Sequence, residues 1–181
     1  SNAVTLGNPA NSFTGNGASL TELNASQLTG GTVPAAALSN AWRIGGNAGT
    51  TPGTHFLGTT DNQPLEFKVN GLRALRLEDN GDSASDPGTT PDGAPNVIGG
   101  APHNFVAAGV VGATIAGGGA TNYSGASHTN SIRSDFGVIG GGLNNTIAAS
   151  SRFATLAGGQ RNDIGTHSDY SAIGGGDSNN I

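Results

Sequence analysis

Five apolar residues, Ile98, Ile115, Ile139, Leu156 and Ile173, follow one another at intervals of 17, 24, 17 and 17 residues, and each precedes a run of Gly and Ala. Six residues after most of them stands an asparagine, Asn104, Asn145, Asn162 or Asn179. Eight residues after stands a β-branched residue, Val106, Ile147, Ile164 or Ile181. The unit after Ile115 differs. Its Asn130 and Ile132 arrive nine residues late, and the next anchor then comes two residues early, which accounts for the interval of 24. The exception is therefore an insertion within a repeat that continues past it. A fixed period of this length means stacked rungs, each unable to bury its apolar side alone.

Two apolar anchors per unit, 8 and 9 residues apart, predict two short strands and two turns per rung. The fold class is all-β, a repetitive parallel β-roll. A hexapeptide helix would need an apolar residue every six positions, which this chain lacks. The glycines mark a turn that needs positive φ or close backbone approach. Asn104, Asn130, Asn145, Asn162 and Asn179 are expected to stack as a ladder, each amide bonding the rungs beside it. Five rungs at about 4.8 Å give a roll about 24 Å long.

Composition narrows the partners. Charged residues make up 10% of the chain and the net charge is −5, with a single lysine. There is no basic patch for a nucleic acid to meet. With no cysteine, disulfides and thiolate metal sites are excluded. The 32 glycines would suit disorder, but regularly spaced Ile and Val do not. Ser1-Asn2-Ala3 has the look of a cloning remnant. The lack of Met and the position of Ile181 inside a repeat unit suggest a piece of a longer protein. No membrane-contacting segment is evident.

Two anchors per rung among Ala, Gly, Ser and Thr predict a thin core, marginal for one chain. The simplest remedy is a homotrimer that buries one face of each roll. Rungs such as "NNTIAASSRFATLAGGQ" and "NDIGTHSDYSAIGGG" resemble the head repeats of trimeric autotransporter adhesins, the YadA-like heads. Over residues 96–181 that resemblance implies left-handed parallel β-rolls intertwined as a homotrimer, at a cell surface.

The N-terminal half is different. In residues 4–41, Leu23, Leu28, Val33 and Leu38 are five apart, which fits neither helix nor strand. Ser19 and Glu22 could cap a short helix, stopped by Gly30, Gly31 and Pro34. This extended segment resembles the shafts of phage tail fibres and of fibre-like bacterial surface proteins, and residues 41–78 resemble a block that follows such shafts. Within residues 42–82, "LEFKVNGLRALRLE" reads as a β-hairpin turning at Asn70-Gly71. A strict two-residue turn would split its apolar residues between faces. A bulge near Leu72 repairs this, pairing Phe67 with Leu75, Leu65 with Leu77, and Glu66 with Arg76. Trp42 and Phe56 are expected on that face. Residues 83–95 form a polar linker.

Candidate chemistry is sparse. The Gly-Gly-Gly runs lack the Lys-Ser/Thr of a Walker loop and the helix of a dinucleotide loop. "GGQRNDI" is partly similar to calcium-binding nonapeptides, but Asp163, Asp169 and Asp177 do not recur in register, and calcium needs several carboxylates. His55, His103, His128 and His167 are too scattered for a metal motif. Asp79, Asp82, Asp86 and Asp92 read as solvated acids. No cofactor, metal or catalytic residue is expected. The insertion, residues 119–129, must project from the roll, and it carries Tyr123 and His128. Loops on rigid scaffolds carry recognition, so these two are the candidate binding residues, for a glycan or a cell-surface ligand.

The expectation is a non-enzymatic, homotrimeric head or shaft segment of an adhesin, on a cell surface or a virion fibre. The alternatives are a carbohydrate-binding module using the inserted loop, and a glycan-active β-helical enzyme, which would need convergent carboxylates.

Overall fold

The computed structural model describes residues 41–43, 45–81 and 93–181. It divides into two units, Ser1–Thr54 and His55–Ile181. The expectations for residues 4–40 and for most of the linker lie outside the described residues. In the first unit, Asn47 ties a turn: its Oδ1 accepts from the Arg43 N–H at 3.1 Å and its Nδ2 donates to the Ala41 carbonyl at 3.3 Å. Trp42 in this unit is exposed.

The second unit is all-β among its described residues, with thirteen strands. β1 (Leu65–Val69) and β2 (Leu72–Glu78) pair antiparallel, with Leu65 opposite Leu77, Glu66 opposite Arg76, and Phe67 opposite Leu75. Asn70 and Gly71, at φ 50° and 75°, form the turn, as Asn-Gly does where both central residues need positive φ. The bulge lies two residues beyond Leu72. Val69 pairs with Leu72 and Lys68 with Arg73, and the register shifts beyond them, leaving Ala74 as the extra residue. The tight turn keeps its own pairs and the strand corrects its facing one step later. Phe56 stays exposed instead of packing on this pair.

β2 also pairs antiparallel with β3 (Asn96–Gly99). From β3 the sheet continues in parallel through β5 (Thr114–Ile115), β9 (Val138–Ile139), β11 (Thr155–Leu156) and β13 (Ala172–Ile173). A second parallel sheet holds β4 (Phe105–Val106), β8 (Ser131–Ile132), β10 (Thr146–Ile147) and β12 (Asp163–Ile164). Each of the first four rungs gives one strand to each sheet and the fifth gives β13 to the first, so this part is a parallel β-solenoid of about five turns. The partners Ile98, Ile115, Ile139, Leu156 and Ile173 lie in register across the first sheet. Val106, Ile132, Ile147 and Ile164 do so across the second.

These two rows face each other and form the core. Ile115, Ile132, Ile139, Ile147, Leu156 and Ile164 are 0% exposed. At about 1.5–3 kcal/mol for each such side chain, one chain already buries its anchors completely. The expected shortage of core is therefore not found in the anchors, and a second copy is not needed to cover them.

The turns explain how the backbone closes so tightly. Gly142, Gly159 and Gly176 have φ of 83°, 86° and 104°. A Cβ at Gly142 would land on the Gly159 carbonyl oxygen, and one at Gly159 on that of Gly176. Two residues later, Asn144, Arg161 and Ser178 also have positive φ. So do Phe136, Phe153 and Tyr170. Non-glycine residues rarely adopt this region. Here it turns the N–H groups of Phe136, Phe153, Arg161, Tyr170 and Ser178 onto the preceding rung. Arg161 N donates to the Leu143 carbonyl and Tyr170 N to that of Arg152, both at 2.9 Å.

Candidate functional site

The insertion is a β-hairpin, not an irregular loop. β6 (Ala120–Tyr123) and β7 (Ala126–His128) pair antiparallel in a sheet of their own. Ser124 and Gly125, at φ 53° and 79°, supply the turn. Its roots are held by the roll. Thr129 N–H donates to Asn144 Oδ1 at 2.9 Å, and Asn144 Nδ2 reaches His128 Nδ1 at 2.8 Å.

Because the backbone N–H of Thr129 fixes Asn144 Oδ1 as the acceptor, the Asn144 amide nitrogen must donate. His128 Nδ1 is then the acceptor, and the proton sits on Nε2, which donates to the Tyr123 carbonyl at 3.0 Å. This pattern matches the Nε2–H tautomer. Its ring meets the Tyr123 ring edge-on, with centroids 6.0 Å apart. The structure brings the two candidate residues together, but with different freedom. Both His128 nitrogens are engaged, while Tyr123 is 59% exposed. On the other flank Ser127 Oγ lies 3.1 Å from His103 Nδ1.

His167 sits in a turn at φ 61°. Among the described residues no three of His, Cys, Asp and Glu are grouped to hold a metal ion. Asp169 and Asp177 each reach one rung back. Asp169 accepts from the Arg152 backbone N–H at 2.7 Å, and this bond, with a second from the Arg152 side chain, lowers its pKa. Asp177 is held to about 2, chiefly by hydrogen bonds from the Arg161 guanidinium, then from Ser178 and Gln160. Asp163 lies in β12 on the second sheet. Asp169 and Asp177 bond different rungs and Asp163 lies on the other sheet, so the three are not grouped to hold an ion. Asp79 Oδ1 accepts from the Gly81 N–H at 2.8 Å, while Asp82, Asp86 and Asp92 lie outside the described residues.

The asparagines run through the turn as a continuous chain. Asn104, Asn130, Asn145 and Asn162 are at most 1% exposed. Each Oδ1 accepts the backbone N–H of the next asparagine, at 2.9, 2.9, 3.0 and 2.9 Å up to Asn179. Each Nδ2 donates to glycine carbonyls of its own turn and of the following rung. For Asn145 these are Gly141 and Gly159, at 2.8 and 2.9 Å. Buried polar groups are tolerated when bonded in this way. The amides of Asn104, Asn130, Asn145 and Asn162 are thus committed to backbone, while Asn179 at the end of the row is exposed and donates to Asn162 Oδ1 and the Gly175 carbonyl.

Two further rows escaped sequence reading. Ser134 and Ser151 accept the backbone N–H of Ser151 and Ser168, at 2.8 and 3.1 Å. Phe136, Phe153 and Tyr170 stack at 5.3 and 5.1 Å, nearly parallel. All three stand three residues before an anchor. That offset was the available signal, weakened because the first two rungs carry Pro95 and Gly112 there. Gly112 is a space requirement, since a Cβ on it would lie 2.5 Å from Phe136. A depression of about 500 Å³ beside β2 is lined by Leu57, Asp61, Gln63, Leu77 and Glu78 among others.

No protein-family model, characterised protein or solved structure gives a match to this chain.

Proposed function

We propose that the chain is a structural head or shaft segment of a homotrimeric, cell-surface or tail-fibre-like adhesin, which extends, spaces and presents a binding surface outside the cell. The observation that supports this most is the asparagine ladder. It ties the buried amides of successive rungs to one another and leaves, among the described residues, a scaffold that carries one inserted hairpin. The resemblance of the rungs to YadA-like heads points to three chains. Sedimentation equilibrium is expected to return three times the 17.7 kDa chain mass. A folded, monodisperse monomer would remove the trimer from this reading.

A second reading, carbohydrate binding at the inserted hairpin, rests on the Tyr123 ring. It is 59% exposed and braced by the fixed His128, and an aromatic so placed can stack on a sugar. In a trimer three hairpins would add by avidity. Replacing residues 119–129 with a turn of the ordinary length should shift the melting temperature by no more than a few degrees, as at other surface outgrowths. It should also abolish retention on a glycan-coated matrix. Unfolding of this variant would make the hairpin a structural brace, and unchanged retention would place glycan binding elsewhere.

A further inference from the structure

The outer side of the first sheet and the aromatic row beside it form a surface unlike the rest of the roll. Phe136 and Phe153 remain 41% and 44% exposed and Tyr170 75%. Next to them Val138, Thr155 and Ala172 point outward while their neighbours Ile139, Leu156 and Ile173 point into the core. From each aromatic to its anchor, the last three rungs carry no charged residue; the residue just before each aromatic is charged, Asp135 being buried and Arg152 paired with Asp169 at 3.2 Å. The second sheet differs. It bears Asp163, and Arg133 follows β8 with its guanidinium 4.9 Å over the Phe105 ring.

We infer that this aromatic edge, with the outer face of the first sheet beside it, is the surface on which copies of this chain meet, parallel and in register; the inference rests on the trimeric reading above. Aromatic enrichment with depletion of charge is the mark of an interface centre. The exposed aromatic and valine area is on the order of 400 Å². That is about half of what each partner gives to a stable interface, and the outer sheet face beside it can supply the rest.

The repeat chooses the occupant. The row advances one ring per rung, at 5.1–5.3 Å. A partner matching it over three rungs must carry the same period, as another copy does. About a rotation axis parallel to the roll, identical rungs lie at one height, so each aromatic layer meets its own equivalents. A saccharide is a poorer match, because sugars stack on ring faces, and both faces of Phe153 are covered by Phe136 and Tyr170.

The test is Thr155→Arg, a change on an exposed side chain that the roll itself tolerates, compared by sedimentation with the unchanged chain and with Ser178→Arg at another corner. The expected result is a trimer for the unchanged chain and for Ser178→Arg, and at least a tenfold weaker association for Thr155→Arg with the β-type circular dichroism retained. A second measurement uses the absence of native cysteine. Ala172→Cys should form an inter-chain disulfide under oxidation, and Ser178→Cys should not. If Thr155→Arg remains a tight trimer and Ala172→Cys does not cross-link, this surface is not the interface, although the trimeric reading survives. If the unchanged chain is a monomer, both fall.

Discussion

Replacing Asn145 with alanine lowers the stability of the roll by about 3 kcal/mol. The figure follows from what the amide leaves behind. Its Oδ1 accepts the Asn162 N–H, and its Nδ2 bonds the carbonyls of Gly141 and Gly159. Asn145 is 0% exposed. The substitution thus strips three backbone groups, and each buried group left without a partner costs about 1–3 kcal/mol, less where water can enter. Asn145→Asp is expected to be at least as damaging despite its nearly identical shape. A carboxylate has no donor for the two carbonyls, and its charge would be buried among them. Denaturant unfolding at a fixed protein concentration measures both. If either variant lies within about 0.5 kcal/mol of the unchanged chain, as an ordinary surface substitution would, the ladder does not hold the rungs.

Gly142→Ala should be worse still, on the order of 4 kcal/mol or more, the range of changes that force a backbone conflict. Gly142 sits at φ 83°, and its new Cβ would occupy the place of the Gly159 carbonyl oxygen. That oxygen accepts from Leu143 N at 3.0 Å and from Asn145 Nδ2 at 2.9 Å. The alanine cannot be accommodated without parting two rungs where their ladder is anchored. Gly158→Ala is the internal comparison. It lies in the same kind of turn, but a Cβ there meets nothing within 4 Å and its φ is not positive. It should leave stability within about 0.5 kcal/mol. Equal melting points for the two variants would mean that close rung contact is not what the Gly142 position demands.

The parts of this molecule that can be read from its sequence are those where one residue type is the only solution. A side chain enclosed between rungs must be apolar, so Ile115, Ile139 and Leu156 recur. A carboxamide accepts from one rung and donates two hydrogen bonds to its own turn and the next, so Asn130, Asn145 and Asn162 recur. The arithmetic around Ile115 separates insertion from repeat for the same reason. Its internal form is less visible, although Ser124-Gly125 between Tyr123 and Ala126 carries the turn chemistry of a hairpin. The aromatic row is harder, since Phe136, Phe153 and Tyr170 obey the period only in the last three rungs, and positive φ gives no reason to expect bulky rings. In the β1–β2 pair, facing could be inferred from Leu65, Phe67, Leu75 and Leu77. The bulge site could not, because a shift at Leu72 or at Ala74 restores the same facing. The anchors are sealed within one chain, so the proposed association rests on the exposed aromatic edge and not on a shortage of core.

The most direct measurement of the central claim, that amide-linked rungs make this chain a rigid scaffold, is hydrogen exchange resolved at single backbone amides. The N–H groups of Asn130, Asn145 and Asn162 donate into the asparagine beneath them. They are expected to be among the slowest in the molecule, exchanging only with global unfolding, while those of Ser124 and Gly125 at the tip of the hairpin exchange rapidly. Fast exchange at the three asparagines, at the rate of the hairpin tip, would contradict the ladder and the scaffold built on it.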